Sequence, residues 1–424
     1  MQFSIIGLNF KTAPVELREK LSFPQDQIPE ALDILENNAG IAEAVILSTC
    51  NRVEIYVASE DVDVDEKVIH FMAQYHGIAA EDFRSNLYMH KNEEAVEHIF
   101  SVSGSLMSMV IGENQIQNQL KTALEMAQGN QTVGAYLSTI FQNALKVGKR
   151  VRNETSISEH SLSISSVAVA ALKRNIFSFS DKTICVIGLG KMSMLAIKAL
   201  QKLEAKEIIV VNRTLSTAEA FAKNHNITVK PFSQLKEALV QCDAVISSTS
   251  SPNYVITTEL MAQAQTERLN KTLTLVDIAV PRDIEPSAAK LEGVNLLNID
   301  ELKDAIAVNK EKRGAEIEKA RIIIKQEIDK HRQWQQALQV QPLICELKND
   351  AEKIREQELQ RAICRFNREL SEEDSELLHD LTRRIVNKML HKPIINLRAG
   401  SKGSNPENYA SIVRELFDIK TATL

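Results

Sequence analysis

Short apolar runs alternate with helical stretches over the first 300 residues, and the texture then changes. Glu43-Ala-Val-Ile-Leu47 is apolar and β-branched and predicts a strand. Val53-Glu-Ile-Tyr-Val57 alternates apolar and charged residues with a period of two, which predicts a half-buried strand. Residues 1–155 mix such strands with amphipathic helices, an α+β pattern. Between 156 and 300 lie Thr183-Ile-Cys-Val-Ile187, Glu207-Ile-Ile-Val-Val211, Ala244-Val-Ile-Ser247 and Thr274-Leu-Val-Asp277. Apolar runs separated by helical stretches predict βαβ units feeding a parallel sheet buried on both faces. Residues 301–424 are charged and poor in helix breakers: Gly314 is the only glycine between Gly293 and Gly400, and Pro342 the only proline between Pro286 and Pro393. Long helices are expected there, their apolar faces covered by a second copy of the chain or, alternatively, by an intramolecular bundle. Ala399-Gly-Ser-Lys-Gly-Ser-Asn-Pro406 predicts a flexible linker before a short helix at Asn408–Phe417.

Length and charge narrow the function classes. A chain of 424 residues has room for two or three domains, each with its own core. A net charge of −6 and a pI near 5.9 argue against the broad positive field of a generic nucleic-acid binder. They leave room for a local basic face such as Lys146, Lys149, Arg150 and Arg152 at a predicted helix end, which a solvated helix terminus explains equally well. Five cysteines without CxxC spacing argue against a disulfide framework and a structural zinc site. The N-terminus enters directly on a strand pattern, and no run approaches the about 18 apolar residues that span a bilayer, so a cytoplasmic location without membrane contact is expected.

Two segments carry chemistry. Leu47-Ser-Thr-Cys50-Asn-Arg52 places a thiol on the turn between two predicted strands, two residues from an arginine able to lower its pKa or clamp a carboxylate. A buried, inert packing cysteine is the alternative. Cys185, Cys242, Cys345 and Cys364 fall in a strand, before a strand and in C-terminal helices, and look structural. The second segment, Gly188-Leu189-Gly190-Lys191-Met192-Ser193, follows a predicted strand and opens a helix over Met194–Leu203, the context of a dinucleotide site. Ser193 stands at the third glycine position, at the helix–strand contact. The next strand ends in Asn212-Arg213-Thr214 rather than Asp or Glu, which suits a ribose 2′-phosphate and favours NADPH. Ser247-Ser-Thr249-Ser-Ser251 ends another strand, either lining the nicotinamide pocket or serving as turn chemistry.

These segments lie in a chain that resembles the glutamyl-tRNA reductase family nearly end to end. The resemblance runs through Gly7-Leu-Asn-Phe-Lys11-Thr-Ala-Pro14-Val-Glu16, Ser48–Arg52, His98-Ile-Phe100, Ser108-Met-Val-Ile-Gly112-Glu113-Asn114-Gln115 and Gln119. It continues through the Gly188 loop, Asn212–Thr214, Val276-Asp277-Ile-Ala-Val-Pro281-Arg282-Asp283 and Ile385-Val-Asn-Lys-Met-Leu-His391-Lys-Pro393. The resemblance implies a multidomain α/β architecture. Its parts are an α+β catalytic domain at 1–155, a Rossmann-type parallel-sheet NADPH domain at 156–300, and an all-α dimerisation domain on a long spinal helix at 301–424. It also implies NADPH-dependent reduction of glutamyl-tRNA to glutamate-1-semialdehyde, the entry to tetrapyrrole synthesis, in a homodimer. Direct handover to glutamate-1-semialdehyde aminomutase is a further expectation.

By the same resemblance Cys50 is the nucleophile that forms a thioester, a better hydride acceptor than a carboxylate. His98 lies near the thiol, assisting proton transfer or orienting the acyl group; the helical spacing of Ala95, Val96, Ile99 and Phe100 offers a plain amphipathic-helix reading instead. Arg52 is the partner for the substrate's γ-carboxylate or α-carbonyl. Thr49, Ser108, Glu113, Gln115 and Gln119 match glutamate-recognition positions, with Asn51 and Asn114 beside them, and Glu113 suits the α-ammonium. Gln115 and Gln119 share a helix face. The chain departs from the pattern at Phe10, where histidine is common, at Met107, where an acidic residue is lost, and at Ser193. A catalytically weak paralogue that binds tRNA or NADPH is therefore a second hypothesis. A shikimate-dehydrogenase-like enzyme is a third, against which the cysteine turn and the C-terminal helices both count.

Overall fold

The computed structural model describes residues 1–113, 115–158, 163–176, 178–302, 314–366, 371–400, 412 and 414–417. Two compact units are present, Met1–Lys325 and Gln326–Leu424. The first contains two sheets. Strands β1 (Gln2–Asn9), β2 (Glu43–Ser48), β3 (Arg52–Ser59) and β4 (Tyr88–Lys91) form an antiparallel sheet in the order β2-β3-β1-β4. The connection from β2 to β3 is the cysteine turn. Helices Val64–His76 and Ala135–Glu154 both contact β3, so that every residue of this strand is buried. The alternating pattern of Val53–Val57 therefore does not mark a half-buried strand. Its charged residue, Glu54, faces a second packed layer rather than water, which requires that its charge be met by protein groups.

The second sheet is parallel: β5 (Thr183–Ile187), β6 (Glu207–Asn212), β7 (Thr228–Pro231), β8 (Ala244–Ser247), β9 (Leu273–Asp277) and β10 (Val294–Asn298), in the order β10-β9-β8-β5-β6-β7. Its central strands are buried on both faces, as their uninterrupted apolar runs require. One face packs Val186, Val210 and Ile246 under the helices Ile164–Ile176 and Lys191–Lys202; the other packs Ile187, Ile209 and Val245 under Leu235–Gln241 and Thr258–Arg268. The order reverses beside β5, and the nucleotide loop follows β5 at that switch point. Its helix begins at Lys191, three residues earlier than the apolar spacing from Met194 predicts, because Gly190 already serves as the N-cap.

A 50-residue helix, Gly314–Ile363, carries Pro342 within it and Cys345 on an exposed face; Cys364 lies just past its end. In the second unit Leu343, Ile344 and Leu347 of this helix pack with Leu397 of the helix Glu372–Gly400. The expected linker beyond Gly400 and most of the expected helix at Asn408–Phe417 lie outside the described residues. Among the described residues no helix is long and apolar enough to cross a membrane.

Candidate active site

Thr49 builds the turn that carries Cys50. Its main-chain N–H donates to the Arg52 carbonyl at 2.8 Å, while its Oγ1 accepts from the N–H groups of Asn51 and Arg52 at 3.2 and 3.1 Å. A side-chain hydroxyl thus replaces the hydrogen bonds a tighter turn would make. The Asn51 carbonyl accepts the Phe10 N–H at 2.9 Å, fastening the turn to the end of β1. Cys50 is half-buried, and with Phe10 it packs against the apolar cluster of the parallel-sheet half, which includes Leu189 and Met192 of the nucleotide loop.

A small cavity opens over the thiol. Thr49, Cys50, Asn51 and Arg52 line it from the turn; Ser108 and Glu113 come from the loop after the helix Asn92–Ser103. Gln115, Ile116 and Gln119 come from the helix Gln115–Gly129, and Ile164 and Met192 close the remaining side. The two glutamines at i, i+4 therefore face one pocket. Asn51 Oδ1 is buried there without a hydrogen-bond partner among the described residues, an acceptor left for a ligand. Asn114 lies outside the described residues.

Arg52 is deeply buried and already engaged: Nη1 meets Glu54 Oε1 at 2.7 Å, and Nη2 donates to the Met107 carbonyl. Glu54 also accepts from Tyr56, from Tyr88 at 2.5 Å and from His98 Nε2 at 2.7 Å. Gly7 pairs with Glu54 across β1 and β3, and a Cβ there would lie 2.6 Å from the Val53 carbonyl and 2.8 Å from Glu54 Cγ. A glycine is what allows the carboxylate to lie over β1. His98 is not among the residues lining the cavity; it reaches the site through Glu54 and Arg52, stacked on His90. The structure thus groups Cys50, Arg52, Ser108, Glu113, Gln115 and Gln119, and places His98 one layer behind.

In the nucleotide loop, Gly188 has φ +87, and a Cβ would meet the Ser248 carbonyl at 2.7 Å. A Cβ at Gly190 would meet nothing within 4 Å, so open space lies over the helix N-terminus, where main-chain N–H groups can receive a pyrophosphate. Ser193 is fully buried and donates to the Ser248 carbonyl at 3.4 Å, so its hydroxyl is accommodated at the helix–strand contact. Asn212 ends β6 and turns back through Nδ2 to the Thr214 carbonyl at 2.8 Å, leaving Arg213 and Thr214 exposed beside the loop. These residues fit a dinucleotide. Ser247 and Thr249 instead spend their hydroxyls on Asp283.

Comparison with known proteins accounts for the whole chain. Residues 6–155 match the family model for the N-terminal domain of glutamyl-tRNAGlu reductase, residues 170–305 that for shikimate / quinate 5-dehydrogenase, and residues 319–419 that for the dimerisation domain of glutamyl-tRNAGlu reductase. Glutamyl-tRNA reductase of Thermodesulfovibrio yellowstonii is 39% identical over 99% of this chain and 99% of its own. The chain belongs to the glutamyl-tRNA reductase family. The same-named protein of Brevibacillus brevis is 37% identical over 99% of this chain and 92% of its own. The solved glutamyl-tRNA reductase of Methanopyrus kandleri aligns over 98% of this chain and 99% of its own, with a TM-score of 0.52 and 28% identity.

In this member of the glutamyl-tRNA reductase family, burial and neighbouring charges set the resting state of the thiol. Burial pushes the Cys50 thiol up to about 12, Glu113 adds to this, and Arg18 and Arg52 pull the other way without prevailing. Burial likewise raises the Glu113 carboxyl against the opposing influence of the Ser108 hydroxyl and Arg52. Cys50 therefore rests as a neutral thiol. Its alkylation by iodoacetamide in the ligand-free protein is expected to rise about tenfold per pH unit to beyond about pH 10. A plateau near neutral pH, measured by mass spectrometry of the Cys50 peptide, would show a thiolate already formed.

Sequence reasoning missed Glu54, Tyr88, Arg18 and Asp300. An acidic residue on a buried strand opposite a glycine was the available signal for Glu54; nothing local marks Arg18 or Asp300, whose partners are remote in the chain.

Proposed function

We propose that this chain catalyses the NADPH-dependent reduction of glutamyl-tRNA to glutamate-1-semialdehyde through a thioester on Cys50. What chiefly supports the reading is that one cavity joins the Cys50 thiol, the polar groups of Arg52, Glu113, Gln115 and Gln119, and Met192 of the nucleotide helix. In the first half-reaction the Cys50 sulfur attacks the ester carbonyl. The C–O bond to the tRNA ribose breaks, and the departing oxygen takes up the proton lost by the thiol. Gly188–Ser193 and Asn212–Thr214 would hold NADPH, which would supply the hydride for reduction of the thioester to the aldehyde; the C–S bond breaks and the Cys50 sulfur, leaving as thiolate, takes up a proton. Glu113 receives the substrate α-ammonium, and Thr49, Asn51, Ser108, Gln115 and Gln119 supply further hydrogen bonds. Arg52, held in place by Glu54 and the Met107 carbonyl, presents its charge to the substrate carboxylate or carbonyl. His98 acts by fixing Glu54 rather than by touching the acyl group.

The family identity of 170–305 supports a nicotinamide cofactor. The exposed Arg213 just after β6 supports NADPH as that cofactor, since a guanidinium there suits a 2′-phosphate. We assign catalysis to 1–155, cofactor binding to 156–300 and homodimerisation to 301–424. Leu377, Leu381, Ile385 and Met389 recur every four residues on the helix Glu372–Gly400 and are exposed, a face suited to a second copy. An aminoacyl-tRNA substrate supports a cytoplasmic reaction, and the reactive aldehyde favours direct handover to glutamate-1-semialdehyde aminomutase.

Single-turnover reaction tests the assignment. With glutamyl-tRNA alone, the purified protein is expected to release tRNA and retain labelled glutamate on Cys50. Adding NADPH then yields the semialdehyde, and NADH does so poorly. Absence of the bound glutamate and of the aldehyde sinks the proposal.

A further inference from the structure

The helix Val15–Lys20 belongs to the antiparallel-sheet half but is held at both ends by the parallel-sheet half. Pro14 at its N-cap offers no side-chain acceptor, and Asp300, just beyond β10, accepts the Val15 N–H at 3.0 Å in its place. At the other end, Arg282 donates its main-chain N–H and Nε to Glu19 at 2.6 and 2.9 Å, and Nη1 to Glu16 at 2.8 Å. The loop presenting Arg282 is itself pinned, since Asp277 accepts the N–H groups of Ala279 and Ile284 and Asp283 accepts that of Thr249.

Between these anchors lies Arg18, with no solvent exposure. Its Nη2 meets Asp300 Oδ1 at 2.5 Å, and its Nη1 donates to the Cys50 carbonyl at 2.6 Å. One planar guanidinium therefore ties the main chain of the cysteine to a carboxylate of the nucleotide-binding half. A flexible or apolar side chain would leave that spacing free, whereas the fork of an arginine holds it. Stability alone does not call for this arrangement, because apolar packing of similar volume serves a buried site as well as an ion pair does.

We propose that Arg18 is a positioning residue which, through its ion pair with Asp300, sets the Cys50 turn for acyl transfer. This rests on Cys50 being the nucleophile. The Arg282 bridges dock the same two halves without touching the turn, so they provide the control.

The test uses the full-length protein and reads two rates. One is alkylation of Cys50, Cys185 and Cys242 by iodoacetamide without tRNA or NADPH; the other is single-turnover transfer of glutamate to Cys50. For Asp300→Asn, the loosened turn is expected to be alkylated at Cys50 about threefold faster or more, because access governs the reaction of a thiol. Its acyl transfer is expected to be about tenfold slower or more, because the sulfur is misplaced. Cys185 and Cys242, buried in the sheet core, stay unreactive. Arg18→Lys behaves like Asp300→Asn, and Arg282→Gln stays within about twofold of the parent at both rates, as expected for a contact that does not touch the turn.

Four results overturn the proposal. Both rates unchanged in Asp300→Asn means no relay, and both rising together means a charge effect alone. Equal behaviour of Arg282→Gln, or reactive Cys185 and Cys242, means general loosening. If glutamyl-tRNA is not the substrate, the parent protein forms no thioester, while the alkylation comparison of Asp300→Asn with Arg282→Gln still reads the relay.

Discussion

Cys50→Ser is expected to lower semialdehyde formation by about a thousandfold or more, the scale seen when a covalent nucleophile is removed. Its cause is chemical and local. A serine hydroxyl ionises far less readily than a thiol, and among the described residues no histidine lines the cavity to act as its base. Any oxygen ester formed would also resist hydride attack more than a thioester does. The fold should be unaffected, because the turn is held by Thr49 Oγ1 and by main-chain bonds of Asn51 and Arg52, none of which uses the sulfur. A change within about 0.5 kcal/mol is expected for such a substitution. Labelled glutamate retained after gel filtration, trapped aldehyde and a denaturant melt check all three points. Substantial turnover by the serine variant would move acyl transfer to another group. The remaining cysteines offer no substitute, with Cys185 and Cys242 buried in the parallel sheet and Cys345 and Cys364 in or after the long helix.

Glu54→Gln is expected to destabilise the protein by about 3–5 kcal/mol, the cost of leaving a buried charge without its partner. The carboxylate of Glu54 accepts from Arg52, Tyr56, Tyr88 and His98 in a site without solvent exposure. A glutamine keeps one acceptor oxygen and turns an amide toward donors, and the Arg52 guanidinium stays buried and uncompensated. Arg52 also fastens the Met107 carbonyl, so the cavity loop should loosen and acyl transfer slow along with the loss of stability. The pH dependence has a definite sign. Burial by itself would raise the Glu54 carboxyl, but Arg52, His98 and the hydrogen bonds outweigh it and hold the group well below the ordinary 4.5. The unfolded chain thus binds the extra proton first, and the contribution of Glu54 is complete above about pH 5 and fades as pH falls through the acid range. Urea melts at neutral and acid pH should show a steep acid loss in the parent that is flatter in Glu54→Gln. Equal stability of the two proteins at neutral pH would contradict the account.

Patterns confined to a few residues were legible in the chain. Strands β5 and β8 run over Thr183–Ile187 and Ala244–Ser247, the spans their apolar runs predict. The reason is that a strand buried on both faces must be apolar throughout. The turn at Cys50 was legible for a similar reason, since small polar residues between two strand-like runs leave the chain few alternatives. The helix of the nucleotide loop was misjudged by three residues because capping, not apolar spacing, decides where a helix begins. The alternation across Val53–Val57 misled more seriously. Period-two patterning reports one apolar face, and whether the other meets water depends on helices remote in the chain.

By itself, then, the sequence determined the strands that flank the thiol turn and the central strands of the parallel sheet, where that turn and the nucleotide loop lie, and which family the motifs resemble. Each of these rests on neighbours within a turn or a strand, where periodicity and local hydrogen bonding dominate. Tertiary structure alone decided how the charges are spent. Arg52 is committed to Glu54, His98 stands behind that pair instead of beside the sulfur, and Arg18 joins Cys50 to Asp300, 282 residues beyond the arginine. Desolvation and pairing set the state of such groups, and both depend on what the folded chain brings within hydrogen-bonding distance.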